Sequence, residues 1–147
     1  MRDGYSAEAE RLLTEAARIE AASLGTKHSV YAGTLTYLAD ALALRGALDS
    51  AETLCRRAIA IRTESFGPDQ TITALTWGGL AGILTKQRRF AEADSIYRSA
   101  LAVLRRRTTD THVDVRRTFA GLATLYEAWE KPDSAAIYRR LASIPRR

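Results

Sequence analysis

Between Leu48 and Arg62, Leu48, Ala51, Leu54, Cys55, Ala58, Ile59 and Ile61 follow a three-and-four spacing. Steps of three and four gather them on one face of an α-helix. Asp49, with Glu52 three residues on, reads as a variant of the N-terminal capping box. Phe66-Gly67-Pro68-Asp69 stops the helix, because glycine suits the left-handed residue after a helix end and proline cannot continue one. A second amphipathic stretch runs from about Gln70 to Gln87, with Ala74, Trp77, Leu80, Ala81 and Leu84 on one face. The same pattern along the chain predicts seven helices, at roughly 6–24, 28–45, 48–65, 70–87, 90–107, 112–129 and 133–143.

The helices come in pairs because the sequence repeats. Ala9-Glu10 returns as Ala51-Glu52 and Ala93-Asp94, at steps of 42 residues. Leu12, Leu54 and Ile96 share a position, as do Ala16, Ala58 and Ala100, and Ile19, Ile61 and Val103. Leu24-Gly25 returns as Phe66-Gly67, and Leu38-Ala39 as Leu80-Ala81 and Leu122-Ala123. Near Trp129–Pro132 the period reads as one residue short. A hairpin of two such helices cannot bury its apolar stripe alone, so the units must stack. The sequence therefore predicts a single array over 1–147, made of a half repeat (1–25) and repeats of about 26–67, 68–109 and 110–147, with the last helix as a cap. The first helix lacks its partner, which leads us to expect a piece of a longer chain.

Composition narrows the function classes. No apolar run is long enough to span a bilayer, and Met1-Arg2-Asp3-Gly4 is not a signal peptide, so a soluble, cytoplasmic protein is expected. Cys55 is the only cysteine, which rules out an intramolecular disulfide. The net charge is +5, and it is uneven: residues 1–87 hold 9 basic and 10 acidic side chains, while residues 88–147 hold 13 and 7. The excess lies in Arg105-Arg106-Arg107, Arg116-Arg117, Arg139-Arg140 and Arg146-Arg147.

Phe90-Ala91-Glu92-Ala93-Asp94-Ser95-Ile96-Tyr97-Arg98-Ser99-Ala100-Leu101, Leu24-Gly25-Thr26-Lys27-His28 and Leu35-Thr36-Tyr37-Leu38-Ala39 together resemble the tetratricopeptide repeat family, in its 42-residue kinesin-light-chain-like variety. The likeness covers nearly the whole chain. It implies an all-α fold, a right-handed superhelical stack of antiparallel helical hairpins forming a solenoid. It also implies a protein–protein interaction scaffold whose first helices line a concave groove that takes an extended peptide or a partner segment. Relatives of this kind often sit beside bacterial signalling or regulatory domains, so membership of such a larger protein is expected. In the family an Asn of the Leu-x-Asn-Leu-Ala motif often holds the ligand backbone; here Tyr37, Gly79 and Gly121 stand at that position.

The candidate groove comprises those three residues and neighbours on the same helices: Thr34, Tyr37, Thr76, Gly79, Lys86, Thr118, Gly121 and Leu125, with Ala41 and Ile83 beside them. A mid-helix glycine costs about 1 kcal/mol relative to alanine. Gly79 and Gly121 therefore imply close backbone approach, by a ligand or, more plainly, by a packed neighbour. The arginine clusters raise nucleic-acid binding through the basic C-terminal half as an alternative. Arg105-Arg106-Arg107 ends a helix, however, where cations suit the dipole and the free carbonyls. Self-association through the unpaired first helix is a further alternative, giving a homodimer. His28 and His112 share one repeat position, two units apart, and read as helix starts rather than as metal ligands. Cys55 reads as a packing residue, Trp77 as core, and Trp129 as partly exposed. No phosphate loop, metal motif or activated nucleophile is present, so neither catalysis, a metal nor a cofactor is expected.

Overall fold

The computed structural model describes residues 2–145, with the side chains of residues 7–145. Seven α-helices and no strand occur among the described residues, and the chain divides into two compact units at Pro68–Asp69.

The first unit holds α1 (Arg2–Ser23), α2 (Ser29–Leu44) and α3 (Leu48–Phe66). Helix α2 packs against both α1 and α3. Tyr31, Ala32 and Leu35 of α2 meet Ala58 and Ile61 of α3 and Ala17 of α1, with Ala21 and Leu54 at the edge. The guanidinium of Arg57 lies 5.3 Å from the Tyr31 ring centre. Gly25 (φ 91°) and Gly67 (φ 90°) take the left-handed backbone that ends α1 and α3, as the sequence predicts.

The second unit holds α4 (Thr71–Lys86), α5 (Phe90–Arg105), α6 (Val113–Ala128) and α7 (Pro132–Ala142). Helix α5 packs on α4, α6 on α4 and α5, and α7 on α6. Leu80, Leu84, Leu104, Val115, Phe119, Leu122 and Leu125 form its buried interior. An aromatic series runs along its end: Phe90 stacks on Trp129 (5.8 Å between ring centres), Trp129 on Tyr126 (5.9 Å), Tyr126 on Tyr138 (5.6 Å), and Tyr138 lies 6.2 Å from Phe119. Arg98 donates to Tyr126 Oη (2.8 Å) and to Asp94 Oδ2 (2.8 Å), while Tyr126 Oη donates to Asp94 Oδ1 (2.6 Å). This closed triad ties α5 to α6 and leaves the Tyr126 hydroxyl with both a donor and an acceptor partner.

Three details differ from the sequence reading. Asp49 does not cap α3: the N-cap is Ala47, which has no side-chain cap bond, and Asp49 sits inside the first turn, where its charge favours the helix dipole. No residue is lost near Pro132. Helices α3, α5 and α7 begin at Leu48, Phe90 and Pro132, each 42 residues after the last, and the buried alanines Ala51, Ala93 and Ala135 keep that step. Trp77 is only half-buried, although Leu35 and Phe119 at the same repeat position are fully enclosed. An indole is bulky and carries an N–H that favours an edge near water.

The 42-residue step is also written in the backbone of the turns. Gly46 (φ 86°), Arg88 (φ 61°) and Glu130 (φ 59°) are all left-handed. The next residue in each case donates back to a carbonyl inside the helix: Ala47 to Leu42, Arg89 to Leu84 and Lys131 to Tyr126, each at 2.9 Å. This is the Schellman closure of a helix end. Only the first turn uses glycine, so the other two carry a side chain in a conformation that costs about 1–2 kcal/mol for an L-residue. Glu130→Gly is therefore expected to raise stability by about 0.5–1 kcal/mol, and Gly46→Ala to lower it by about 1 kcal/mol. Chemical denaturation of the two variants checks the opposite signs.

Candidate functional site

A helix packed on one side still offers two flanks, and the structure decides which flank is open. Around Tyr37, Gly79 and Gly121, the residues three before and four after are buried in all three hairpins: Thr34 and Ala41, Thr76 and Ile83, Thr118 and Leu125. The residues four before and three after are open or half-open: Gly33 and Asp40, Leu75 and Gly82, Arg117 and Thr124. Of the sequence-derived set, Thr34, Thr76, Thr118 and Leu125 thus belong to the interior. The hydroxyls of Thr76 and Thr118 donate to the carbonyls of Ile72 (2.8 Å) and Asp114 (2.9 Å), four residues back. A small side chain that satisfies its own hydroxyl within the helix suits a packed position. Tyr37 and Lys86 are exposed, and Gly79 and Gly121 are half-exposed.

In the first unit the open flank carries three exposed apolar side chains. Val30, Tyr37 and Leu44 are 49, 66 and 77% exposed, at spacings of seven residues along α2. Seven residues are close to two helical turns, so the three side chains form one line, about 21 Å long at 1.5 Å per residue. Gly33 and Asp40 lie between them. Arg62 of α3 borders the line, its guanidinium 3.7 Å from where a side chain on Gly33 would begin. Burial lowers the Arg62 pKa from its ordinary value, and the nearby Cys55 and Tyr37 oppose that shift. The three side chains are held in register on one helix, and sequence reasoning found only Tyr37 of them. Repeat columns that change character, such as Leu44, Lys86 and Ala128, would have marked this flank as surface.

In the second unit the open flank carries Ile72, 43% exposed and seven residues before Gly79, and the half-buried Leu75. Gly78, Gly79 and Gly82 follow on α4, and Gly121 and Thr124 lie on α6. Tyr97 of α5 fills the space beneath: a Cβ on Gly121 would lie 2.6 Å from its ring and hydroxyl, and one on Gly82 3.6 Å from its hydroxyl. Burial pushes the Tyr97 hydroxyl up to about 12. Gly121 is thus explained by a packed neighbour.

The arginines at the end of α5 are structural. Arg105 makes a two-pronged pair with Asp110 at 2.7 Å on both oxygens, and its guanidinium lies 5.2 Å from the Phe119 ring centre. Arg106 pairs with the Asp69 carboxylate (2.6 Å), and Arg107 donates to the Asp69 carbonyl (2.9 Å). Farther on, Arg116 donates to the Ala142 carbonyl at the end of α7 (2.9 Å), and Arg139 pairs with Glu127. His28 and His112 are the N-caps of α2 and α6: their Nδ1 atoms accept from the amides of Val30 (3.2 Å) and Asp114 (3.3 Å). Cys55 is buried, and desolvation, aided by Asp40, pushes its thiol up to about 12, which disfavours the reactive thiolate. Among the described residues no group of three His, Cys, Asp or Glu side chains could hold a metal ion, and no helix is long and apolar enough to cross a membrane.

Helical hairpins on a constant step, with buried alanines at fixed positions, define an all-α helical-hairpin repeat. The chain belongs to the tetratricopeptide repeat family, whose sequence model matches residues 30–106 and 72–142. Among solved structures it is similar to BtubC (BKLC) from P. vanneervenii, with 25% identity and a TM-score of 0.78 over 96% of this chain and 56% of that one. The nearly identical TPR-like repeats of a Podosopora anserina protein described as a kinesin light chain share the fold at 20% identity. A point variant of those repeats aligns with a TM-score of 0.80 over 96% of this chain, and a second structure with 0.73 over 95%; both matches cover 66% of those chains. The chain therefore spans about 56–66% of the length of these structures. No curated protein is a significant match. Tetratricopeptide repeats generally mediate protein–protein interaction.

Proposed function

We propose that this protein binds a segment of a partner protein through the open flank of α2, with Val30, Tyr37 and Leu44 as the contact line. The observation that carries this reading is the exposure of three large apolar side chains in register on one rigid helix. Large apolar side chains exposed in register on one helix offer a partner more apolar area than the same residues scattered would. The position is also where the family resemblance puts the ligand. The asparagine associated with that position is replaced by Tyr37, so side-chain burial rather than an amide clamp on the ligand backbone supplies the affinity.

Tyrosine anchors dominate many interfaces because they bury a large rigid surface. Tyr37→Ala and Leu44→Asp are each expected to weaken binding to a captured partner by about tenfold or more, about 1.4 kcal/mol. Helix content should remain unchanged, because both side chains point to solvent. Titration calorimetry reads the affinities. Unchanged affinity for both variants removes this surface from the interface.

A further inference from the structure

Tyr97 carries a hydroxyl that its packing role does not need. Its ring fills the space between α4 and α6 and is only 6% exposed, and a phenylalanine would fill that space as well. The hydroxyl has no hydrogen-bond partner among the described residues, whereas that of Tyr126 has both a donor and an acceptor. Burying a polar group without a partner is unfavourable, and native folds keep few of them. Desolvation keeps this hydroxyl protonated at neutral pH, so it is a donor. It is particular to α5, since Cys55 and Arg139 hold its repeat position in α3 and α7. The way to it lies between two half-exposed glycines, Gly82 of α4 and Gly121 of α6. The hydroxyl lies 3.6 and 2.6 Å from where their side chains would begin. Lys86 follows Gly82 by one turn, and a helical side chain leans toward the N-terminus of its helix, here back over Gly82. Lys86 is exposed and has no ion-pair partner among the described residues, and the same holds for Arg117, one turn before Gly121.

We propose that the notch between Gly82 and Gly121 receives an acidic side chain of a partner protein, whose carboxylate is held by the Tyr97 hydroxyl and the Lys86 ammonium. Charge sets the occupant. The notch offers a protonated donor and a cation, with a second cation, Arg117, on its rim. Helix α4 has no acidic residue, and those of α6, Asp114 and Glu127, face His112 and Arg139. A carboxylate accepts from both donors, and hydrogen bonds to a charged group are the stronger kind. Depth sets the form. A main chain crossing over α4 and α6 cannot descend between them, but a carboxylate on a flexible arm can. The two glycines leave the opening clear: at the repeat position of Gly82, α2 and α6 carry Asp40 and Thr124. This site is independent of the α2 contact line.

The test uses two short fluorescein-labelled peptides, one of alternating glutamate and glycine and one with glutamine in place of glutamate. Each is titrated with the full chain by fluorescence anisotropy at low salt. The glutamate peptide is expected to bind about tenfold more tightly or better. Tyr97→Phe keeps the ring and should weaken that binding by about tenfold, the loss of one hydrogen bond to a charged group. The same variant should unfold at a higher urea concentration than the parent, because it removes a buried hydroxyl without a partner. Gly82→Ala should also weaken the binding while stabilising the fold, since its methyl meets the hydroxyl. Absence of binding, or equal binding by the two peptides, would overturn the proposal. So would parental affinity in Tyr97→Phe, which would leave surface charge alone as the attraction. A lower urea midpoint in Tyr97→Phe would equally overturn it, because the hydroxyl would then serve the fold.

Discussion

Gly121→Ala is expected to destabilise the protein by about 1–3 kcal/mol, against the usual preference of a helix interior for alanine by about 1 kcal/mol. The added methyl would sit 2.6 Å from the Tyr97 ring, a distance that forces something to move. Tyr97 is buried and wedged between α6 and α4, so its ring has little room to yield. Gly82 supplies the internal control. A methyl there would meet the Tyr97 hydroxyl at 3.6 Å, an ordinary contact, so Gly82→Ala should stabilise by about 0.5–1 kcal/mol. Urea unfolding of the two variants reads the opposite signs, and Tyr97→Leu in the Gly121→Ala background should recover part of the loss. A stabilising Gly121→Ala would mean that Tyr97 does not lie against this backbone.

Phe119→Ala should be costlier still, by about 3–5 kcal/mol, because it empties a fully enclosed aromatic site. Its ring also faces Tyr138 at 6.2 Å and carries the Arg105 guanidinium at 5.2 Å, and both partners would lose their contact. Trp77 occupies the same repeat position and is the larger side chain, yet it is half-exposed. Trp77→Ala is therefore expected to cost at least about 1 kcal/mol less than Phe119→Ala, since the transfer of already wet surface contributes little. Equal losses in thermal or urea unfolding would contradict the burial assigned to the two positions.

These two positions also show how far the sequence could be read. Helix number, order and pairing were legible, because a 42-residue step repeated across Ala51, Ala93 and their neighbours cannot arise from one helix alone. The apparent missing residue came from Ile137-Tyr138-Arg139, which imitates Ile96-Tyr97-Arg98 at a step of 41. The backbone keeps 42, and Tyr138 instead joins the stack on Tyr126. The capping box at Asp49 failed because a Schellman closure through Gly46 and Ala47 already fixes the start of α3.

Choosing the open flank was harder, because residues on both sides of Tyr37 lie within one helical turn of it. The distinguishing signal lay in the repeat columns. Thr34, Thr76 and Thr118 are identical, and Ala41, Ile83 and Leu125 are uniformly apolar, as packing requires. Gly33, Leu75 and Arg117, like Asp40, Gly82 and Thr124, vary in charge and size, as a solvent-facing column can. Which side chain fills the space beneath Gly121 depends on how three helices meet, and no spacing within one helix carries that information.

The central claim, that partners meet this protein on the open flank of α2, is tested most directly by site-specific photocrosslinking. A photoreactive side chain is placed at position 37, at position 44 and at exposed Thr53 of α3, away from the contact line. Adducts to the same partner from positions 37 and 44, with none from position 53, are the expected result. Adducts from position 53 with none from 37 or 44 would place the interface elsewhere and contradict the account.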